Sequence, residues 1–282
     1  MTQGYCDLHV HSVYSDGTDT PSEIIEKAEK LGLTAVALTD HNSVNGLDEF
    51  IESAKGRKVS VVTGVEFSTD YREKELHVVA LFIKREYYSQ VDELLKDFAK
   101  RKVESNVRLI EGLSKEGYEI RYEDLLKTCK NAKINRANVG AELVKKGYFS
   151  SVDQAFKSVL SKEYGLYVQP KRPNSLDVIS FISEVGAVPV LAHPFYSFNE
   201  KQLREFLPLA KDRGLKAMET EYSAFTTEER KKLLAISNEF NLYKSGGSDY
   251  HGNNKPNIQL GTGLGDLRVP SEFYFELKNL VK

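Results

Sequence analysis

The sequence predicts an α/β protein, a parallel sheet interrupted by a helical insertion. Three observations carry this. Short apolar segments alternate with amphipathic helical ones from residue 5 to about residue 83. From about Tyr88 to Asn174 helical patterns dominate. Alternation then returns and holds to the end of the chain. Near-continuous apolar strands between helices indicate strands buried on both faces.

In order, "YCDLHVH" reads as a strand and "TPSEIIEKAEKLGL" as a helix. Thr20 is the N-cap, Pro21 suits the first helical position and Glu23 completes a capping box. Ile24, Ile25, Ala28 and Leu31 fall on one face. "TAVALTDH" is a buried strand, "SVNGLDEFIESAKG" a helix, and "VSVVTGVEFS" and "ELHVVALFI" are strands. In the middle, residues 88 to 116, "YEDLLKTC", "NRANVGAELVKKG" and "SVDQAFKSVLSK" are helical, with "YGLYVQP" the one strand candidate. "QPKRPN", with two prolines, is the linker back to alternating structure. Then come helix "SLDVISFISEVG", strand "AVPVLAHP", helix "EKQLREFLPLAKDRG", strand "LKAMETEY", helix "TTEERKKLLAISNEFN", strand and exit loop "LYKSGGSDYHG", and closing helix "PSEFYFELKNLVK". The expected domains are 1–98 with 174–282, and an insertion at 99–173.

Composition narrows the function. The chain has 282 residues, near the upper limit of one hydrophobic core. A net charge of −2 gives no global signal for binding long nucleic acid, although a local basic patch on a small-ligand site remains open. Cys6 and Cys129 lie far apart and suggest no disulfide framework, so a cytoplasmic location is expected. The N-terminus lacks a secretory pattern, and no window is apolar enough for a transmembrane helix.

The six histidines are the strongest local signal. His9 and His11 sit at the end of the first strand and point to the same side. His41 ends the second strand, His193 ends "LAHP", and His251 follows the last strand. His77 lies near the start of the fourth. Asp16, Glu66 and Asp249 accompany them. One strand-end histidine is usually a structural hydrogen-bonding residue. Five of six at the edge where parallel sheets build their sites, with three acids, point instead to metal. Nine groups are too many for one ion, and two or three ions with a bridging carboxylate fit the count. Imidazole and carboxylate suit Mn, Fe and Zn alike. Asp40 either orients a ligand from behind or hydrogen-bonds a turn. Tyr14 and Tyr222 either stack on a base or, more in keeping with aromatics near a barrel mouth, pack. "SGGSDYHG" lacks the P-loop pattern. Its glycines let the backbone pass close to the site.

The motifs "DLHVHSVYSDG", "LTDHN", "GVEFS" followed by "LHVVAL", "LAHP" and "GGSDYHG" resemble the PHP (polymerase and histidinol phosphatase) family of metal-dependent phosphoesterases. The resemblance runs over nearly the whole chain. It implies a distorted seven-stranded (β/α) barrel with a metal centre at the C-terminal face of its strands and an inserted helical cap. It implies that His9, His11, Glu66 and Asp249 hold one ion, that Glu66 bridges to a second held by His77 and His193, and that Asp16, His41 and His251 hold a third. Mn is the expected metal, with Fe or Zn as alternatives. A metal-activated water would attack phosphorus, with no side-chain nucleophile. Cys6 is expected to pack behind the site.

The insertion, with "KRKVESNVRLIEGLSKEGY" and "INRANVGAELVKKGYFSSVDQAF", resembles the branch of nucleoside 3′,5′-bisphosphate phosphatases and 5′-to-3′ exoribonucleases of short RNA. By resemblance Arg101, Lys102, Asn106 and Arg136 bind phosphate. Asn138 stands where the branch often has histidine, which bears on substrate binding. Read by themselves, Arg101 and Lys102 also fit a solvated helix face, the reading favoured for Lys102. Arg136 opens a helix, where amide dipoles favour anions. The leading expectation is removal of the 3′-phosphate from nucleoside 3′,5′-bisphosphates. The alternative is 5′-to-3′ exonuclease action on short RNA, and the near-neutral charge favours the smaller substrate. Histidinol-phosphate phosphatase is opposed by the long insertion, and a non-catalytic metal-binding regulatory domain by the complete ligand set. The expected partner is a small phosphorylated nucleotide or short RNA. No membrane or protein partner is indicated.

Overall fold

The structure, a computed structural model, describes residues 4–128 and 134–281. Cys129 and Lys282, included in the helices expected above, lie outside the described residues. The chain parts into two compact units, Met1–Asp92 with Pro173–Lys282, and Glu93–Arg172.

β1 (Cys6–Val10) is followed by α1 (Pro21–Lys30), β2 (Ala35–Leu38), α2 (Leu47–Ser53), β3 (Ser60–Tyr71) and β4 (Lys74–Leu81). α3 (Tyr88–Lys115) leads into the second unit, which continues with α4 (Tyr122–Thr128), α5 (Arg136–Lys145) and α6 (Val152–Phe156). The first unit resumes with α7 (Ser175–Glu184), β5 (Val188–Leu191), α8 (Glu200–Asp212), β6 (Ala217–Tyr222), α9 (Thr227–Glu239), β7 (Tyr243–Gly247) and α10 (Ser271–Lys278).

The seven strands form one sheet in sequence order. Its two edges draw together just past β7, where Asp249 N donates to His9 O and His11 N donates to Tyr250 O, both at 2.9 Å. The sheet so approaches a closed barrel. Gly247 permits the approach, since a Cβ there would lie 2.4 Å from His9 Cβ. Neighbouring strands are parallel except around β4, which runs antiparallel to both β3 and β5. This corrects the wholly parallel sheet expected from the apolar strands. Only Arg72 and Glu73 join β3 to β4, and a parallel crossover needs a dozen or more residues. Both adopt left-handed φ, 47° and 66°, as a tight two-residue hairpin requires. The reversal brings the beginning of β4 to the sheet end where the parallel strands finish.

Period-two alternation divides β1 between two environments. Cys6 and Leu8 join an apolar cluster with Ala35, Ala37, Val79, Val190 and Ala217, sealed by Tyr274 and Leu277 of α10. His9 is left to the other side. The second unit has its own core, in which Leu109, Leu113, Val139, Leu143 and Leu160 meet. Among the described residues, no helix is long and apolar enough to cross a membrane.

Several local expectations need adjustment. The capping box of Thr20 and Glu23 forms, with Pro21 in the first turn. Leu31, however, is 52% exposed, because the helix ends at Lys30 and Leu31 is its C-cap. α2 starts only at Leu47, since Asn42 adopts a φ of 51° and bonds Ser68 across to β3. α6 is one short turn followed by turns rather than a helix to residue 162. "YGLYVQP" forms no strand. No sheet lies within the second unit's described residues to pair with it, and the Val168 carbonyl accepts from the Ser105 hydroxyl instead.

The left-handed Glu73 makes the β3–β4 turn testable. Glu73→Gly should stabilise the protein by up to about 1 kcal/mol by removing the Cβ penalty, partly offset by glycine's added freedom when unfolded. Urea unfolding would read this as a raised midpoint. A lowered midpoint would contradict the turn.

Candidate metal centre

The site is assembled at the strand ends from six histidines and three acids. His9 lies within β1 and His11 just beyond it. Gly17 turns the following loop against the His11 carbonyl, where a Cβ would lie 2.5 Å from the oxygen. That turn returns Asp16 to the site. His41 follows β2 and bridges to Glu66. Glu66 lies in the middle of β3, because the strand runs beyond the expected "VSVVTGVEFS" to Tyr71. His77 enters from the start of the reversed β4, which explains why this one histidine departs from the strand-end rule. His193 and Asp249 follow β5 and β7 and hold positive φ of 26° and 56°. Such conformations are costly for non-glycine residues and persist where the surroundings enforce them.

Glu66 is the centre of the arrangement. Its Oε2 lies 3.3 Å from His9 Nε2, 3.2 Å from His11 Nε2 and 2.9 Å from His41 Nδ1. Its Oε1 lies 2.7 Å from His77 Nδ1 and 3.0 Å from His193 Nε2. Asp249 Oδ1 adds a contact of 3.2 Å to His11 Nε2. Asp16 lies 3.2 Å from His251 Nε2 and 3.8 Å from His41 Nε2. The nine groups thus form four overlapping sets able to hold an ion: His11, Asp16, His41 and His251; His9, Glu66 and His193; His9, His11 and Asp249; and His41, Glu66 and His77.

The donor chemistry fits divalent metal. His9 Nδ1 is engaged by Glu219 Oε1 at 2.8 Å. With Nδ1 as donor, His9 Nε2 turns a lone pair toward Glu66 Oε2. Two lone pairs 3.3 Å apart in a buried site require a cation between or beside them. His9 Nε2, His11 Nε2, His41 Nδ1 and Glu66 Oε2 are all buried without a hydrogen-bond partner.

In the protein alone, protons do this compensating. Burial disfavours charged His9, but Glu66 and Glu219 outweigh it and hold its pKa well above the usual histidine value. Burial of His11 is overcome by Asp249 and Glu66, and its pKa rises to about 9. Burial of His77 is overcome by Glu66, then Glu75, and its pKa rises to about 10. Burial would raise Glu66 and Asp249, yet the surrounding histidines hold both well below the carboxylate range. His251 goes the other way, lowered by burial and then by the charge of His11.

Behind these groups stand residues that fix their orientation. Glu219 on β6 binds His9 through Oε1 and accepts from the His193 amide through Oε2 at 2.6 Å. Tyr222 and Lys255 both donate to Asp249 Oδ2 at 2.7 Å, leaving Oδ1 toward the histidines. Tyr222 is therefore a buried anchor and has no face free for a base. Tyr14 bonds Glu49 through its hydroxyl. Asp40 accepts from Ser12 N, Ser12 Oγ and Ser15 Oγ at 2.6–2.8 Å, so it organises the loop between His11 and Asp16. Asp7 ties β1 to Ser248 and Gly261. Sequence reasoning passed over Glu219, Asp7 and Lys255. A carboxylate inside a buried strand was the available signal for the first two; nothing singled out Lys255. Cys6 is fully buried, and burial followed by the charge of Asp7 pushes its thiol pKa up, which makes it a poor nucleophile.

A family profile described as "PHP domain" matches residues 7–169, more than half of the chain. The chain belongs to the PHP domain family. That membership makes it a phosphoester hydrolase of a metal-dependent family, as the motifs implied. Its relatives include a 5′-3′ exoribonuclease of Haemophilus influenzae, 31% identical over 89% of this chain and 91% of that one. A 3′,5′-nucleoside bisphosphate phosphatase of Chromobacterium violaceum is 26% identical over 87% and 86%. A crystal structure from Bifidobacterium adolescentis, assigned to the metal-dependent phosphoesterases, superposes with a TM-score of 0.85 at 27% identity and covers 100% of this chain and 98% of that one.

The residues of this PHP protein expected to bind substrate phosphate lie in the second unit. Arg101 contacts the Lys171 carbonyl at 3.4 Å, and Asn106, buried, donates to the Ile134 carbonyl at 2.8 Å. Lys102 lies on the same helix, α3. Arg136 donates to the Leu160 carbonyl at 3.1 Å, with its guanidinium 3.8 Å from the Tyr167 ring centroid. Asn138 closes a capping box with Asn135 at the start of α5. These contacts give Asn106, Arg136 and Asn138 structural roles of their own.

Two outcomes follow from the site. Glu219→Gln should weaken metal binding about 10- to 100-fold, as loss of a carboxylate behind a histidine ligand does elsewhere. Metal retained after dialysis reads this, and unchanged retention would remove Glu219 from the centre. In chelator-treated protein, the raised pKa values of His11 and His77 contribute stability that is complete below about 6.5 and lost as pH rises through about 9 and 10. The depressed Glu66 and Asp249 contribute above the ordinary carboxylate range, and that part is lost as pH falls. The thermal midpoint should therefore be highest near pH 5–6.5 and fall toward pH 10. A flat profile across pH 6–10 would contradict these pairings.

Proposed function

We propose that this PHP protein is a metal-dependent phosphatase of small nucleotides that removes the 3′-phosphate of nucleoside 3′,5′-bisphosphates. The observation that carries the reading is the set of eight buried or half-buried groups around Glu66, with His9 Nε2, His11 Nε2 and His41 Nδ1 buried and without a hydrogen-bond partner. The similarity to a nucleoside bisphosphate phosphatase over most of the chain supports the substrate class.

In this reading His9, His11, Glu66 and Asp249 hold one ion, Glu66 with His77 and His193 a second, and Asp16, His41 and His251 a third. Mn is the first candidate, with Fe or Zn able to use the same donors. Bound ions would neutralise charge on the phosphoryl oxygens and lower the pKa of water. The chain's own part is placement. Glu219 keeps a proton on His9 Nδ1, so that Nε2 faces inward. Tyr222 and Lys255 hold Asp249 by one oxygen and leave the other available. Asp40 orders the loop that carries Asp16. No side-chain nucleophile is required. Arg101, Lys102, Asn106 and Arg136 of the Glu93–Arg172 unit are the proposed phosphate-binding groups. Asn138 occupies its helix cap where the branch often has histidine, so its part in substrate binding is the weakest of the set.

The second reading, 5′-to-3′ exonuclease action on short RNA, is favoured by the 31% identity to an exoribonuclease. It uses the same centre on a diester. Phosphate release from adenosine 3′,5′-bisphosphate, measured beside mononucleotide release from a 5′-phosphorylated RNA trinucleotide with Mn²⁺ added, separates the two. Turnover of the bisphosphate alone supports the phosphatase, and mononucleotide release makes the exonuclease primary. His9→Ala should abolish either activity together with bound metal. Full activity without metal would overturn the mechanism.

A further inference from the structure

Beside the metal centre is an aromatic face that none of the candidate ligands requires. Tyr196 ends the short 3₁₀ turn Pro194–Tyr196, three residues after His193. Its ring centroid lies 5.3 Å from that of His193. Behind it, Tyr222 and Phe225 meet it near edge-on, at 5.3 Å and 87°, and 5.9 Å and 81°. Those two are buried, whereas Tyr196 is 60% exposed. The ring is thus held from the protein side and open to solvent.

Tyr196 also lines a cleft of about 480 Å³ in the first unit, together with Phe195, Phe198, Asn199 and Glu229. That volume lies in the range of small-ligand sites. One residue therefore belongs both to the margin of the metal centre and to the cleft. Charge decides what the cleft accepts. Glu200 and Glu229 lie on its wall, and its lysine, Lys232, is paired with Glu228. Carboxylates there oppose a phosphate. An uncharged heteroaromatic ring meets aromatic carbon and polar edges without that penalty, and every nucleobase offers a face to stack on.

We propose that Tyr196 and this cleft form the subsite for the substrate's nucleobase, with the base stacked on Tyr196 while a phosphate occupies the metal centre. This rests on the nucleotide reading above and adds where recognition of the base resides.

The test is binding, so that it stands apart from turnover. Dissociation constants for adenosine 5′-monophosphate and for ribose 5-phosphate, which lacks the base, are compared by calorimetry on the metal-loaded protein. The wild type should prefer the nucleotide by about tenfold or more, the scale of one base–aromatic stack. Tyr196→Leu, which keeps apolar cover over Tyr222 and Phe225, should collapse that preference. Tyr196→Phe should retain it. Equal melting temperatures and metal content across the set exclude general damage. No base preference in the wild type, or a preference surviving in Tyr196→Leu, would overturn the subsite. A base preference that depends on Tyr196, in a protein that releases no phosphate from the bisphosphate, would overturn the assigned reaction and leave the subsite standing.

Discussion

One buried carboxylate organises this protein. Glu66 lies within 3.3 Å of ring nitrogens from five histidines, carried by four different strands or their exit loops. A carboxylate in such a place is costly unless positive charge surrounds it. Whether protons or metal ions supply that charge, each histidine must arrive in a fixed position. The near-closure of the barrel and the reversed β4 both serve that requirement. A strand shifted by one residue would turn its histidine away and leave Glu66 uncompensated.

The surrounding groups divide their atoms between two tasks. His9 gives one nitrogen to Glu219 and turns the other inward. Asp249 gives one oxygen to Tyr222 and Lys255 and the other to the histidines. The outer contact sets the direction of the inner one, so little rearrangement remains when a ligand binds. Positive φ at His193 and Asp249 is consistent with this, as local strain accepted to hold groups that the rest of the structure fixes.

Much of the sheet was legible because both-face burial leaves continuous apolar runs, and the capping box of α1 could be read from Thr20, Pro21 and Glu23. The candidate site was legible because histidine is scarce here and its positions matched strand ends. Direction was harder. Nothing in the apolar pattern of "ELHVVALFI" says which way the strand runs; only the two-residue connection does. Glu219 was hidden for a related reason. Its strand, "AMETEY", holds two carboxylates of which one is buried at the site and the other half-buried near Arg230, and only the three-dimensional packing tells them apart. Arg136 and Asn138 carry contacts within their own unit that a motif comparison does not reveal.

The antiparallel β4 also affects how such a protein can change over evolutionary time. Leu81, the last residue of β4, is paired with Val188, the first of β5. The chain therefore leaves the sheet and rejoins it at adjacent points, at the end away from the histidines. Between them lies an excursion that returns past β3, where Asp70 N donates to Pro173 O, and whose two ends are held together by the sheet. Lengthening such an excursion costs only about 0.6 kcal/mol per doubling. Material inserted there displaces no strand end that bears a histidine. The hairpin at Arg72 and Glu73 thus creates a port at which inserted segments can be exchanged while the strand ends that bear the histidines stay in place.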